Sequence, residues 1–282
     1  MTAISVSHLS KRFGSTQALS DIDLSIQAGE MVCLIGASGS GKSTLIRHIA
    51  GLETGDGAES RVSIFNTPTQ AGGRILPGMR ARRRDVSILF QQFNLVTRLS
   101  VLTNVLIGKL GGIPRWRGTF GLFNAAEREV AKSALARVGI DQVFRQRAST
   151  LSGGQQQRAA IARTLVQKSR ILIADEPIAS LDPASARRVM DILAEINRTD
   201  GITVLVSLHQ VEYARRYFPR TVAMRDGRIV FDGPSSALTN AFLSELYGAA
   251  SEELVLPEAP VAPTEHRPGP VPHKRLGAFE PA

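Results

Sequence analysis

The sequence is short of the features that would place it in several broad classes. Its single cysteine, Cys33, cannot form an intrachain disulfide, and its place in the apolar run Met31-Val32-Cys33-Leu34-Ile35 reads as a small core residue. Aromatic residues make up only 5% of the chain, which offers little for stacking on nucleic-acid bases despite a formal charge of +9. No apolar run approaches the roughly 20 residues needed to cross a bilayer, because stretches such as Ile171-Leu172-Ile173-Ala174 end at charged residues. The start, Met1-Thr2-Ala3-Ile4-Ser5-Val6-Ser7-His8, lacks the basic and apolar regions of a secretory signal. These absences predict a cytoplasmic chain whose membrane role, if it has one, is peripheral. There is no internal repeat.

What is present suits an α/β protein. With 282 residues, 43% of them hydrophobic, the chain has material for a substantial core, as one domain with subdomains or as two domains. The densest basic run, Arg80, Arg82, Arg83 and Arg84 with Arg74 nearby, reads as a solvated basic face, and no nucleic-acid partner is predicted. The alternations Ile4-Ser5-Val6 and Leu24-Ser25-Ile26 flank Phe13-Gly14 and predict an N-terminal, β-rich subdomain. Met31 to Ile35 has a buried-strand pattern, running into a glycine-rich loop and the helical pattern Leu45, Ile46, Ile49. Helices are predicted over Asn124–Val138 and Gly154–Gln167, which makes the middle of the chain, about residues 95–165, a helical insertion. Strands at Ile171–Ala174 and Thr203–Val206 bracket a helix around Ala184–Ile196, a β-α-β unit that implies a parallel sheet. Half of the 14 prolines lie after Leu256, so residues 246–282 are expected to form a disordered or loosely docked tail, with the packed domain spanning 1–245.

Two segments carry recognisable chemistry. Gly36-Ala37-Ser38-Gly39-Ser40-Gly41-Lys42-Ser43, followed by Thr44, fits a phosphate loop whose glycines let successive backbone N–H groups cradle phosphate oxygens. In that pattern Lys42 reaches the β- and γ-phosphates and Ser43 offers its hydroxyl to Mg²⁺, with the following helix presenting its positive end. The second segment is Asp175-Glu176, two carboxylates at the end of a buried strand, at the edge of a parallel sheet where ligands bind. Asp175 suits a Mg²⁺ ligand and Glu176 a base that polarises the attacking water. Pro177 also fits an ordinary helix start. Leu151-Ser152-Gly153-Gly154-Gln155 is a polar glycine turn before a helix, readable as a helix cap or as a second anion site.

The order of Phe13, the phosphate loop, Gln91, Leu151–Gln155, Asp175-Glu176, Ser180-Leu181-Asp182 and His209 resembles an ATP-binding cassette. The resemblance spans about residues 1–245. It implies a P-loop NTPase fold with a RecA-like core, an N-terminal antiparallel β-subdomain and a helical subdomain. It further implies a cytoplasmic-face, peripheral ATPase of the bacterial inner membrane that binds ATP and Mg²⁺ and works as a homodimer. In that dimer Ser152, Gly153, Gly154 and Gln155, with Asp182, serve ATP held by the other copy. By the same resemblance Phe13 stacks on adenine, Gln91 reaches Mg²⁺ and the attacking water, and His209 contacts the γ-phosphate. Soluble cassette ATPases carry paired cassettes or long coiled coils and exporters often carry fused membrane helices; the sequence has none of these. A separate importer subunit is therefore favoured, served by two permease subunits and a periplasmic solute-binding protein. Phe90-Gln91-Gln92-Phe93-Asn94-Leu95-Val96, the Trp116-Arg117 to Phe123 segment, Ile178-Ala179-Ser180-Leu181-Asp182 and Ser207-Leu208-His209-Gln210 resemble the phosphonate-import branch. Another small solute, such as phosphate or a polar amino acid, is the alternative cargo. Trp116, Phe120 and Phe123 are candidates either for contact with a membrane subunit or for internal packing.

Overall fold

The computed structural model describes residues 1–77, 79–90 and 94–248. Gln91 and nearly all of the proline-rich tail therefore lie outside the described residues.

Two sheets organise the chain. The first is antiparallel and begins with a long hairpin, β1 (Thr2–Phe13) and β2 (Thr16–Gln27), whose turn falls at the expected Gly14. It continues through β4 (Arg61–Ile64), β5 (Thr67–Ala71) and β6 (Arg74–Ile75) in the order β2-β1-β4-β5-β6. The second sheet has the order β11-β10-β3-β9-β8-β7. Its parallel strands are β3 (Met31–Ile35), β7 (Val86–Leu89), β8 (Ile171–Asp175), β9 (Thr203–Leu208) and β10 (Arg220–Arg225), and β11 (Arg228–Pro234) pairs antiparallel on β10.

Both faces of the parallel sheet are covered, which is why its strands read as unbroken apolar runs rather than alternations. Along β3, Met31, Cys33 and Ile35 face one core and Val32 and Leu34 the other. The first core lies under the helices α3 (Val101–Leu106), α5 (Ala125–Arg137), α6 (Gly153–Gln167), α7 (Pro183–Asp200), α8 (Val211–Tyr217) and α9 (Asn240–Tyr247). The second joins the two sheets around Leu45, Ile46 and Ile49 of α1 (Lys42–Ile49). Two short helices, α2 (Met79–Arg82) and α4 (Arg115–Thr119), lie between these elements in sequence. Cys33 is fully buried, and burial pushes its thiol well above its ordinary range, as befits an inert core residue.

The helical insertion is built as its sequence suggests. Asn124 caps α5 through a capping box with Glu127, and Ser152 caps α6 through one with Gln155. α3, α5 and α6 pack on one another through Val101, Val105, Leu135, Ile161 and neighbours. Phe123 packs against this core, whereas Trp116 and Phe120 on and beside α4 are 61% and 73% exposed. Internal packing therefore accounts for Phe123 and not for Trp116 or Phe120. α9 runs to Tyr247, which carries the last described helix past residue 245.

Candidate active site

The carboxyl ends of four adjacent parallel strands meet along one edge. β3 opens into the glycine loop, β8 into Asp175-Glu176 and β9 into His209, and β7 ends at Leu89, two positions before Gln91 in the sequence, which lies outside the described residues. In an open parallel sheet this is the edge at which ligands bind.

The loop is shaped by close approach. A Cβ on Gly36 would overlap the carbonyl oxygen of Met224 at the end of β10. Gly41, the N-cap of α1, offers no side-chain cap, so the first N–H groups of the helix lack a capping side chain and point toward the loop. Lys42 is buried, and its Nζ donates to the carbonyls of Gly36 at 2.7 Å and Ala37 at 3.1 Å. Desolvation pulls its pKa down, opposed by the negative charges of Glu176 and Asp175. The Ser40 hydroxyl is buried and has no hydrogen-bond partner among the described residues. An orphaned buried hydroxyl beside a buried ammonium and uncapped N–H groups makes a cradle suited to an anion.

The acids converge on this cradle. Ser43 Oγ donates to Asp175 Oδ1 at 3.2 Å across 132 residues of sequence, and the Ser207 hydroxyl donates to the same oxygen at 2.6 Å. Glu176 stands at φ 51°, a left-handed conformation seldom adopted by residues with a side chain and one that concentrates at functional sites. Its Oε1 lies 2.6 Å from His209 Nε2. A carboxylate accepts only, so in this pair the imidazole Nε2 carries the proton. Tyr247 brings a buried phenol from α9 to the same loop, its hydroxyl donating to the His209 carbonyl at 3.4 Å, and burial raises its pKa.

The other candidate residues are engaged locally, on the hairpin and at the starts of α6 and α7. Phe13 is not a core aromatic: it is 47% exposed at the tip of β1, with Lys11 Nζ 5.2 Å from its ring centre. Asp182 caps α7, accepting from the N–H groups of Ala184 at 3.0 Å and Ser185 at 2.9 Å, and the Ser185 hydroxyl bond together with these holds its carboxyl below the usual range. Ser152 and Gln155 are engaged in the α6 cap, so the cap reading of that turn holds whatever else it does. Gly154 packs against Ser185 so closely that an added Cβ would lie 2.6 Å from the Ser185 Oγ. This contact ties the turn at Leu151–Gln155 to the start of α7.

Sequence reading did not single out two residues that the geometry brings to the site. Ser207 had one signal, a hydroxyl inside an otherwise apolar buried strand end. Tyr247 had none, since nothing in the spacing links α9 to the His209 loop.

Comparison with known proteins places these features in a family. The ABC transporter family model matches residues 19–179. The chain is 59% identical over 254 residues to the phosphonates import ATP-binding protein PhnC 1 of Pseudomonas aeruginosa, covering 90% of this chain and 91% of that one. It is 55% identical over 272 residues to PhnC 1 of Cupriavidus metallidurans, covering 95% and 96%. Among solved structures, an ATP-binding cassette of an ABC transporter in its ADP conformation superposes with a TM-score of 0.75 at 26% identity, covering 87% of this chain and 97% of that one. The dimeric structure of a bacterial ABC transporter cassette gives a TM-score of 0.72 at 31% identity, covering 83% and 100%.

Proposed function

The chain belongs to the ABC transporter family, and from that premise we propose that it is the ATP-binding and ATP-hydrolysing subunit of a multi-subunit importer of phosphonates. The observation that carries the catalytic part is the Ser43–Asp175 hydrogen bond, which joins the phosphate loop to the strand-end acids in one site. The cargo assignment is supported by the names of relatives at 55–59% identity along nearly the whole chain.

The residues fit Mg-ATP. The unpartnered Ser40 hydroxyl and buried Lys42 suit phosphate oxygens, and Gly36 to Ser43 with Thr44 supply the cradle. The hydroxyl of Ser43 and the carboxylate of Asp175 form a hard oxygen donor set suited to Mg²⁺, with Gln91 a third candidate by family resemblance. A cation held there would neutralise charge developing on the transferred phosphoryl group. Lys42 shares that task, and Phe13, exposed at the hairpin tip, is by family resemblance the aromatic that stacks on the base.

Glu176 is the general base. Its strained backbone fixes where the carboxylate leaves β8, and His209 holds one carboxylate oxygen. Phosphoryl transfer to water demands positioning more than covalent chemistry. Ser152 to Gln155 and Asp182 lie on the N-terminal ends of α6 and α7, and in a homodimer they complete the ATP site of the other copy. Hydrolysis then opens the dimer.

The permease subunits dock beside the insertion. A groove of about 960 Å³ lined by Arg83, Arg84, Leu110, Ile113, Arg115 and Arg163 lies between β7 and the helices α4 and α6. Exposed Trp116 follows the lining residue Arg115, and Phe120 is exposed at the end of the same helix. Among the described residues no helix is long and apolar enough to cross a membrane; the chain sits peripherally on the cytoplasmic face of the inner membrane, and a periplasmic solute-binding protein acts through the permease. The ATPase unit runs from the first strand through the end of α9 at Tyr247, with the helical subdomain at about 95–165.

The test is reconstitution with the neighbouring permease and binding protein. ATP hydrolysis stimulated by a phosphonate, and not by phosphate or a polar amino acid, supports the proposal. Stimulation by either of the latter alone overturns the cargo.

A further inference from the structure

Strand β9 reads Thr203-Val204-Leu205-Val206-Ser207-Leu208 and is buried along its whole length. Within it Ser207 pairs directly across from Asp175 of β8 on one side and Leu34 of β3 on the other. A side chain at this register sits beside the last residue of β8, and Ser207 is fully buried. A valine would satisfy the packing as its neighbours do; a hydroxyl here needs partners.

It has one on each acid. Ser207 Oγ accepts from the Glu176 N–H at 2.9 Å and lies 2.6 Å from Asp175 Oδ1. Because a carboxylate only accepts, the direction of this relay is fixed: Glu176 N–H to Ser207 Oγ, and Ser207 O–H to Asp175. The Glu176 N–H also reaches the Ser207 carbonyl, at 3.2 Å. One residue therefore holds both the backbone of Glu176 in its left-handed conformation and the carboxylate of its neighbour.

We propose that Ser207 is a positioning residue for hydrolysis, orienting Asp175 toward the cation beside Ser43 and pinning the Glu176 backbone so that its carboxylate enters the site. The inference rests on the reading of the site as a Mg-ATP hydrolase. Ser43 shares Asp175 Oδ1 at 3.2 Å and would turn its hydroxyl to the metal. Ser207 would not, since the paired strands hold it opposite Asp175. It plays the part of an outer partner that fixes a ligand's rotamer, a role whose loss typically costs about 10- to 100-fold in metal affinity. Removing the hydroxyl also leaves the Glu176 N–H with the longer carbonyl contact alone, which frees the strained residue to relax.

The full-length chain tests this through Mg²⁺ titrations of the binding of a fluorescent, non-hydrolysable ATP analogue, with amide hydrogen exchange at Glu176 as a second readout. Ser207→Ala is expected to raise the half-saturating Mg²⁺ concentration by about tenfold, leave metal-free nucleotide affinity unchanged and speed exchange at Glu176. Ser207→Cys, nearly isosteric with a weak donor, falls between and carries the test if the alanine variant does not fold. Ser43→Ala and Asp175→Asn are run beside them. If these shift the Mg²⁺ dependence and neither Ser207 variant shifts it or the Glu176 exchange, the role of Ser207 is overturned. If none of the four shifts it, the magnesium reading of the site fails and the inference falls with it.

Discussion

The two edges of the six-stranded sheet are built from the same strands and behave in opposite ways. At the amino edge several polar groups close on one another, although the buried Ser169 hydroxyl before β8 has no partner among the described residues. Asn197 donates to the carbonyls of Gly29 and Ile202 at 2.8 Å each, Gly29 N–H donates to Thr203 Oγ1 at 3.0 Å, and Arg220 donates to both oxygens of Asp232 and to Glu30. At the carboxyl edge the Ser40 hydroxyl lacks a partner, Lys42 is buried against backbone carbonyls, and Glu176 carries a left-handed backbone. An edge whose groups are paired internally contributes stability; one that leaves them open keeps binding capacity for a ligand at some cost in stability.

Substitutions that respect this division should separate hydrolysis from folding. The largest effect belongs to the carboxyl edge: Glu176→Gln is expected to bind ATP normally, lose hydrolysis by at least the ~10²-fold typical of a missing general base, and accumulate an ATP-bound dimer. Single-turnover hydrolysis and light scattering measure both, and near-normal turnover refutes the assignment. Next comes the turn at Leu151–Gln155. Gly154→Ala places a methyl group against Ser185, and overpacking of this kind costs about 1–3 kcal/mol. ATP-driven dimerisation should weaken roughly tenfold or more, while ATP binding to the single copy is unchanged. Adding Ser185→Gly should restore it. No rescue would mean that Gly154 is needed for contact with the other copy rather than for packing within its own.

How much of this the sequence disclosed follows from the physics of each signal. Met31–Ile35 and Ile171–Ala174 were legible as strands because burial on both faces leaves an unbroken apolar run, and the loop and acids were legible because they fall at the ends of such runs. α5 was legible as a run free of glycine and proline and α6 as a run following a polar glycine turn, and each is closed by a local pair three residues apart, Asn124 with Glu127 and Ser152 with Gln155. The Glu176–His209 pair joins residues 33 apart, and the Ser207 relay depends on the register Asp175↔Ser207. Neither quantity is periodic in sequence, so neither can be read from spacing. The exposure of Phe13, and the split between partly buried Phe123 and exposed Trp116 and Phe120, were likewise decided by tertiary packing that hydrophobicity alone does not encode.

The amino edge supplies the converse test. Arg220→Met leaves Asp232 and Glu30 without their shared cation; these groups are only partly buried, so the loss is about 1–2 kcal/mol. For a chain of this size that corresponds to a fall in Tm of roughly 2–8 °C. Turnover per folded molecule should be unchanged. A loss of turnover without a loss of Tm would erase the distinction between the edges.

The smallest effect is expected away from both edges, at Glu127. Its carboxylate accepts from the Asn124 N–H at 2.8 Å and from Arg117 at 2.6 Å, which pins α4 to the start of α5. The backbone hydrogen bond, followed by Arg117, holds its carboxyl below the ordinary glutamate range. A carboxylate depressed by folding contributes stability above its unfolded pKa of about 4.3 and loses that contribution as pH falls through the lower folded value. Glu127→Gln should therefore lower Tm by roughly one degree at pH 7, with the gap from the parent closing as pH is lowered toward 3. A gap independent of pH would assign the effect to the cap rather than to charge. Since α4 carries the exposed Trp116 and leads into the exposed Phe120, the same variant should leave basal ATP hydrolysis intact and weaken only the stimulation conferred by the permease. Loss of basal hydrolysis in that variant would show that the insertion and the carboxyl edge are coupled within a single copy.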